Sequence, residues 1–128
     1  MITAYLVGIS TYQENEDIEF RYCIYDDKEL ICKESIWREY KKPAVVTHYG
    51  ILSLLKKLNK FSDKDIEIRI NDGAVYEQVN GTSSTKNKEV LKMAKKVKER
   101  LAHYPNVTIK NVGTNSEELK EWDRILKA

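Results

Sequence analysis

The feature that most constrains this chain is a pair of β-type runs, residues 18–25 (IEFRYCIY) and 30–37 (LICKESIW), separated only by Asp26-Asp27-Lys28-Glu29. So short a connection can only turn the chain back on itself, and the two runs must pair antiparallel. With Asp27 and Lys28 as a two-residue loop, Tyr25 faces Leu30, Ile24 faces Ile31, Cys23 faces Cys32 and Arg21 faces Glu34. Each of those cross-strand pairs is chemically compatible. A third run, residues 2–12 (ITAYLVGISTY), precedes them across a polar turn at 13–17, which gives a three-stranded antiparallel meander.

After residue 37 the hydrophobic period changes. A charged connector at 38–43 leads to a helix from about Thr47, which can cap it, to Lys60, with Ile51, Leu54, Leu55 and Leu58 on one face. Ile66, Ile68 and Ile70 then alternate with Glu67, Arg69 and Asn71, a strand that stops at Asn71-Asp72-Gly73. Residues 74–79 suit a short helix closed by Asn80-Gly81, and 81–85 form a Ser/Thr-rich loop. An amphipathic helix follows over 88–103, expected to bury Val90, Leu91, Ala94, Val97 and Leu101. A strand at 107–112 precedes a final helix, capped by Asn115 or Ser116 and carrying Leu119, Trp122, Ile125 and Leu126. The order βββαβαβα predicts an α/β fold: a mixed five-stranded sheet, three antiparallel strands then parallel strands, flanked by helices. Residues 1–128 read as one domain.

Composition narrows the function classes. Hydrophobic residues make up 41% and charged residues 33%, a globular composition rather than a disordered one. No apolar run reaches the ~18 residues of a membrane helix, and MITAYLVGIS lacks the pattern of a secretory leader; the expected location is the cytoplasm. The 22 basic and 20 acidic residues nearly balance, but Lys86, Lys88, Lys92, Lys95, Lys96, Lys98 and Arg100 face only Glu89 and Glu99 over one stretch. That stretch is either a solvated helix face or a phosphate-contacting ridge. Cys23 and Cys32 have no zinc-type spacing and read as two small thiols. No Gly-rich phosphate loop or nucleophilic triad stands out. Tyr5, Tyr12, Tyr22 and Tyr25 are expected to pack rather than to stack on bases.

The element order and its motifs resemble the type 1 ribonuclease H family over essentially the whole chain. Asn71-Asp72-Gly73-Ala74-Val75 with Glu77-Gln78-Val79-Asn80-Gly81 is similar to that family's fourth strand and following short helix, where an aspartate ends the strand and Gln-x-x-Gly closes the helix. Ala4-Tyr5-Leu6-Val7-Gly8 resembles its first-strand Ala-Tyr-x-Asp-Gly. The resemblance implies carboxylates converging on two Mg2+ or Mn2+ ions, which activate water and stabilise the leaving oxygen of a phosphodiester. Carried onto this chain, the first-strand aspartate falls on Val7 and the glutamate of the first helix near Gly50, so two ligands are lost. Asp72 retains the fourth-strand aspartate. Asp123, in Trp122-Asp123-Arg124-Ile125-Leu126, matches the last one in apolar spacing, while a gapless count points to Glu121. Asp72 and Asp123 are thus the candidate catalytic and metal-binding remnants. His48 could replace a ligand, although a histidine at a helix start is more often a surface or capping residue, and Asp72 could instead cap the short helix. Glu14, Glu16 and Asp17 are expected in a turn away from the site.

Three functions fit the residues. The first is a ribonuclease H-like protein binding an RNA/DNA hybrid or RNA with weak or no cleavage, its phosphates held by Lys86, Lys88, Lys92, Lys95 and Lys96. The others are an active nuclease with a rearranged carboxylate site and a protein-interaction domain that kept only the fold.

Overall fold

The structure, a computed structural model, describes residues 1–81 and 85–127. Residues 82–84 of the Ser/Thr-rich loop lie outside this description. Strands β1 (Ile2–Ile9), β2 (Ile18–Asp26) and β3 (Glu29–Arg38) come first. They are followed by α1 (Val46–Leu58), β4 (Ile66–Ile70), α2 (Gly73–Val79), α3 (Lys88–Leu101), β5 (Val107–Asn111) and α4 (Ser116–Leu126). The strands form one sheet in the order β3-β2-β1-β4-β5. β1 pairs antiparallel with β2 and parallel with β4, and β4 pairs parallel with β5. This is the mixed five-stranded sheet expected from the sequence.

Alternation along the central strands builds two cores. Ala4, Leu6, Phe20, Ile24 and Ile68 face one side and pack against Ile51, Leu54, Leu55 and Leu58 of α1 and Val97 of α3. Tyr5 and Cys23 face the other, against Trp122, Ile125 and Leu126 of α4. Polar contacts fix α4 in place. The Tyr5 hydroxyl donates to Glu121, Arg69 lies 3.6 Å from Glu121, and Lys110 pairs with Glu118. Burial, reinforced by the bond to Glu121, holds the Tyr5 hydroxyl protonated well beyond the usual phenol range. Asn115 caps α4 by accepting from the Glu117 and Glu118 amides.

The β2–β3 hairpin turns at Asp27-Lys28 and starts with Tyr25 opposite Leu30, as expected, but a bulge follows. Ile24 then pairs with Cys32, Cys23 with Lys33 and Arg21 with Ser35. The extra residue brings Ile36 beside the buried Phe20 and Ser35 beside Glu19, to which Ser35 donates at 2.6 Å. The in-register hairpin would have set Ile36 against that carboxylate. The two cysteines are therefore not opposed, and both are free. Three further corrections concern local structure. β1 stops at Ile9, and Tyr12 turns into a left-handed conformation, φ 65°. α1 is entered through a 3-10 turn, Pro43–Val45, so Thr47 lies inside the helix and caps nothing. Leu91 is 50% exposed; the buried set is Val90, Met93, Ala94 and Val97, an i, i+3, i+4, i+7 stripe that leaves Leu91 a quarter-turn outside it.

Candidate functional site

The parallel ladder between β1 and β4 runs from Ile2 opposite Ile66 to Tyr5 opposite Arg69 and then ends. Beyond it the strands separate, and a crevice of about 220 Å³ opens at their carboxyl ends. Open α/β sheets characteristically bind ligands in such a place. The Trp122 indole forms its floor: Nε1 donates to the Leu6 carbonyl at 3.1 Å and to the Arg69 carbonyl at 3.2 Å, tying the strands together where their own ladder stops. The walls come from Val7 and Gly8 near the end of β1 and Ser10 just after it, Thr47 of α1, and Asn71 and Asp72 after β4, with Tyr12 at the rim. Gly8 lets α1 come this close, since a Cβ there would lie 2.7 Å from Val46 Cγ1.

Among the described residues, Asp72 is the only carboxylate that lines the crevice. It is also the cap of α2, its Oδ1 accepting from the Val75 amide at 3.1 Å. The other walls carry hydroxyls (Ser10, Thr47), an amide (Asn71) and apolar groups. Among the described residues no group of three or more His, Cys, Asp or Glu side chains converges in a way that could hold a metal ion. A pair of magnesium ions about 4 Å apart needs several anionic oxygens from separate elements. This donor set, one carboxylate with neutral oxygens, does not fit such a pair.

The structure places the candidate residues individually. Val7 is at the crevice, packed into the Trp122 cluster. Gly50 is not: it is buried, and a Cβ there would stand 3.3 Å from the Phe20 ring and 3.5 Å from Leu6. A side chain at Gly50 would enter the core. The α1 residues that line the crevice are Val46 and Thr47, and Thr47 is the polar one. Its sequence signal is the spacing 47, 51, 54, 58, which sets Thr47 on the sheet-facing stripe one turn ahead of Ile51. On α4, Asp123 is exposed and away from the crevice, and Glu121 is turned to Tyr5 and Arg69. Trp122 occupies the inward position, as the 119–122–126 stripe requires.

His48 is not on the surface: it is fully buried between α1 and α2. Its Nε2 lies 2.6 Å from Gln78 Oε1, and among the described residues Nδ1 has no partner within hydrogen-bonding distance and angle. Burial holds the imidazole below its ordinary pKa, opposed by the Gln78 bond and the nearby Asp72 charge. Glu14, Glu16 and Asp17 lie exposed in the β1–β2 loop, where Glu16 accepts from the Thr11 hydroxyl at 2.6 Å; none lines the crevice.

Lys86, Lys88, Lys92, Lys95 and Lys96 are all exposed. Lys95 approaches Glu99 at 4.0 Å, a solvent-screened pair of little strength. The first turns of α3 pack through Val90 and Met93 onto Val45. That contact sets the start of the lysine ridge behind Pro43, which lines the crevice.

No protein-family model matches the sequence, and no curated protein does. Solved structures do. Over 98% of this chain and 92% of the other, it superposes with ribonuclease H1 of the halophilic archaeon Halobacterium salinarum at a TM-score of 0.78 and 16% identity. LC11 ribonuclease H1, isolated from compost by a metagenomic approach, matches at 0.76 and 17% identity over 98% of both chains. The same LC11 enzyme in complex with an RNA/DNA hybrid matches at 0.76 and 16% identity, over 94% of this chain and 90% of that one. The chain thus has the ribonuclease H-like fold.

Proposed function

We propose that this chain binds nucleic acid, an RNA/DNA hybrid before other duplexes, and cleaves it weakly or not at all. The observation that carries this reading is the crevice at the ends of β1 and β4: it stands where the fold opens a site, and a single, already capping carboxylate lines it. Val7, Thr47 and Trp122 face it where a two-metal nuclease needs acids. The likeness to an LC11 ribonuclease H1 that was solved on a hybrid supports the choice of ligand. The exposed lysines of α3 supply phosphate contacts and Asp72 a remnant of the acidic site, with Asp123 outside it.

The test is a mobility-shift titration of a short RNA/DNA hybrid against the wild type and the Lys92→Glu, Lys95→Glu, Lys96→Glu triple variant. Each lost phosphate contact lowers the slope of log affinity against log salt by about 0.9. The triple variant is expected to bind weakly with a flatter salt dependence. Absence of any shift at low salt would sink the proposal. A parallel incubation of the labelled hybrid with Mg2+ or Mn2+ addresses cleavage: strands that stay intact agree with the reading, whereas efficient cutting abolished by Asp72→Asn would replace it with a rearranged metal nuclease.

A further inference from the structure

We infer that the crevice is a pocket for a single unpaired nucleobase carrying an exocyclic amine, stacked against Tyr12 at its rim. This rests on the nucleic-acid reading only for the form in which the base arrives, on a strand rather than as a free nucleoside. Charge selects the ligand first. Among the described residues no Lys, Arg or His lines the crevice, and Asp72 is the one charged residue that does. A phosphate there would meet a carboxylate with no cation beside it, so phosphates belong on the α3 ridge. At about 220 Å³ the space is smaller than a drug-sized site and suits one ring system.

Chemistry then selects the base. Flipped bases are read by hydrogen bonds to their polar edge and held between aromatic or apolar groups. Val7, Pro43 and the Trp122 ring supply apolar wall. Trp122 Nε1 is spent on two main-chain carbonyls, so this residue offers a surface and no readout. The Asn71 amide, whose Oδ1 lies close to Gly113, and the acceptor-only Asp72 follow one another along the lining, and Thr47 adds a hydroxyl. Within the described residues the Asn71 and Thr47 side chains make no hydrogen bond. Asp72, accepting only, favours a base that brings an amine.

Tyr12 is the independent observation. It is a bulky aromatic 77% exposed at the mouth of the crevice, and it holds a left-handed backbone, φ 65°, with its amide donating to Ser10 Oγ at 3.1 Å. That conformation is rare for such a residue and disfavoured without compensation, and strain of this kind collects at ligand sites. Among the described residues the Ser10 bond is the one hydrogen bond of Tyr12, and its ring stays open to solvent, where a stacked base would cover it.

The test uses the full chain and three probes: a hybrid with one unpaired 2-aminopurine, the same hybrid fully paired, and free 2-aminopurine riboside. The wild type is expected to bind the unpaired hybrid about tenfold more tightly than the paired one, with quenched fluorescence. Tyr12→Ala should remove that preference and the quenching, Tyr12→Phe should keep both, and Lys96→Glu should weaken both hybrids alike. Quenching of the riboside that Tyr12→Ala abolishes, with neither hybrid bound, would uphold the pocket and refute the nucleic-acid reading. Equal binding of both hybrids, unchanged by Tyr12→Ala and without riboside quenching, would overturn the pocket and leave that reading intact. Failure to bind any probe would reject both.

Discussion

Replacing Gly50 and Thr47 by glutamate separates two descriptions of α1 that sequence spacing alone leaves open. At Gly50 even a Cβ stands 3.3 Å from Phe20 and 3.5 Å from Leu6, and the residue is buried. Gly50→Glu forces a carboxyl into that apolar layer with no cation beside it. An uncompensated buried charge of this kind destabilises by about 3–5 kcal/mol, with displacement of the Phe20 ring adding about 1–3 kcal/mol. Total stability for a domain this size is about 5–15 kcal/mol, so the variant should be close to unfolded at neutral pH. Thr47 is half-buried at the open crevice, and Thr47→Glu should change stability by less than about 1 kcal/mol. Urea titration monitored by tryptophan fluorescence measures both. The pH dependence gives a second signature. The introduced carboxyl in Gly50→Glu has its folded-state pKa raised by burial, so the folded state binds more protons than the unfolded one. Its deficit should shrink as pH falls from 7 toward the unfolded glutamate value, about 4.3. Equal stability of the two variants, or a Gly50→Glu protein as stable as the wild type, would refute this placement of α1.

Other parts of the structure make sharper single statements. His48 is held below its ordinary pKa by burial, so the unfolded chain takes up a proton first as pH falls. Stability is then fully present above about pH 6.5 and declines below it by up to about 1.4 kcal/mol per pH unit, a slope that His48→Gln should remove in urea titrations at pH 5 to 7.5. Trp122→Phe keeps an aromatic floor but leaves the Leu6 and Arg69 carbonyls without the indole N–H, costing about 1–3 kcal/mol in the same assay. Asp72→Ala should cost about 1 kcal/mol through loss of the α2 cap while Asp72→Asn costs little, as asparagine caps equally well. Leu54→Ala, in the fully buried core, should cost about 2–5 kcal/mol.

Most of the fold could be read from periodicity, because each element buries a face whose spacing matches its own geometry. The short Asp27-Lys28 loop made β2 and β3 antiparallel, and the isoleucines of β4 displayed an undiluted period of two. The bulge at Ile31 was not legible. It is dictated by what faces the far strand, where Ile36 seeks Phe20 and Ser35 seeks Glu19, and pairwise compatibility near the turn does not report that. The site followed the same division. Asp72 could be found because a strand ending and a helix cap coincide there. Thr47 and Trp122 were missed because the motif was carried over by counting residues, whereas the stripes 47–51–54–58 and 119–122–126 give their direction. His48 was misjudged because its surroundings come from α2, thirty residues away, through Gln78. Tyr12 was assigned to packing because alternation was extended past Ile9, and its left-handed turn leaves no trace in hydrophobic pattern.

The measurement that bears most directly on the whole reading is one titration with two readouts. A fluorescent RNA/DNA hybrid is titrated with the protein at 50 to 200 mM salt in the presence of Mg2+, with anisotropy followed first and the same samples then resolved for strand length. Four phosphate contacts from the α3 ridge predict that affinity falls by about 100-fold across that range, with the strands intact at the end. A hybrid that never binds at 50 mM salt, or one that binds and is cut at many turnovers, would contradict it.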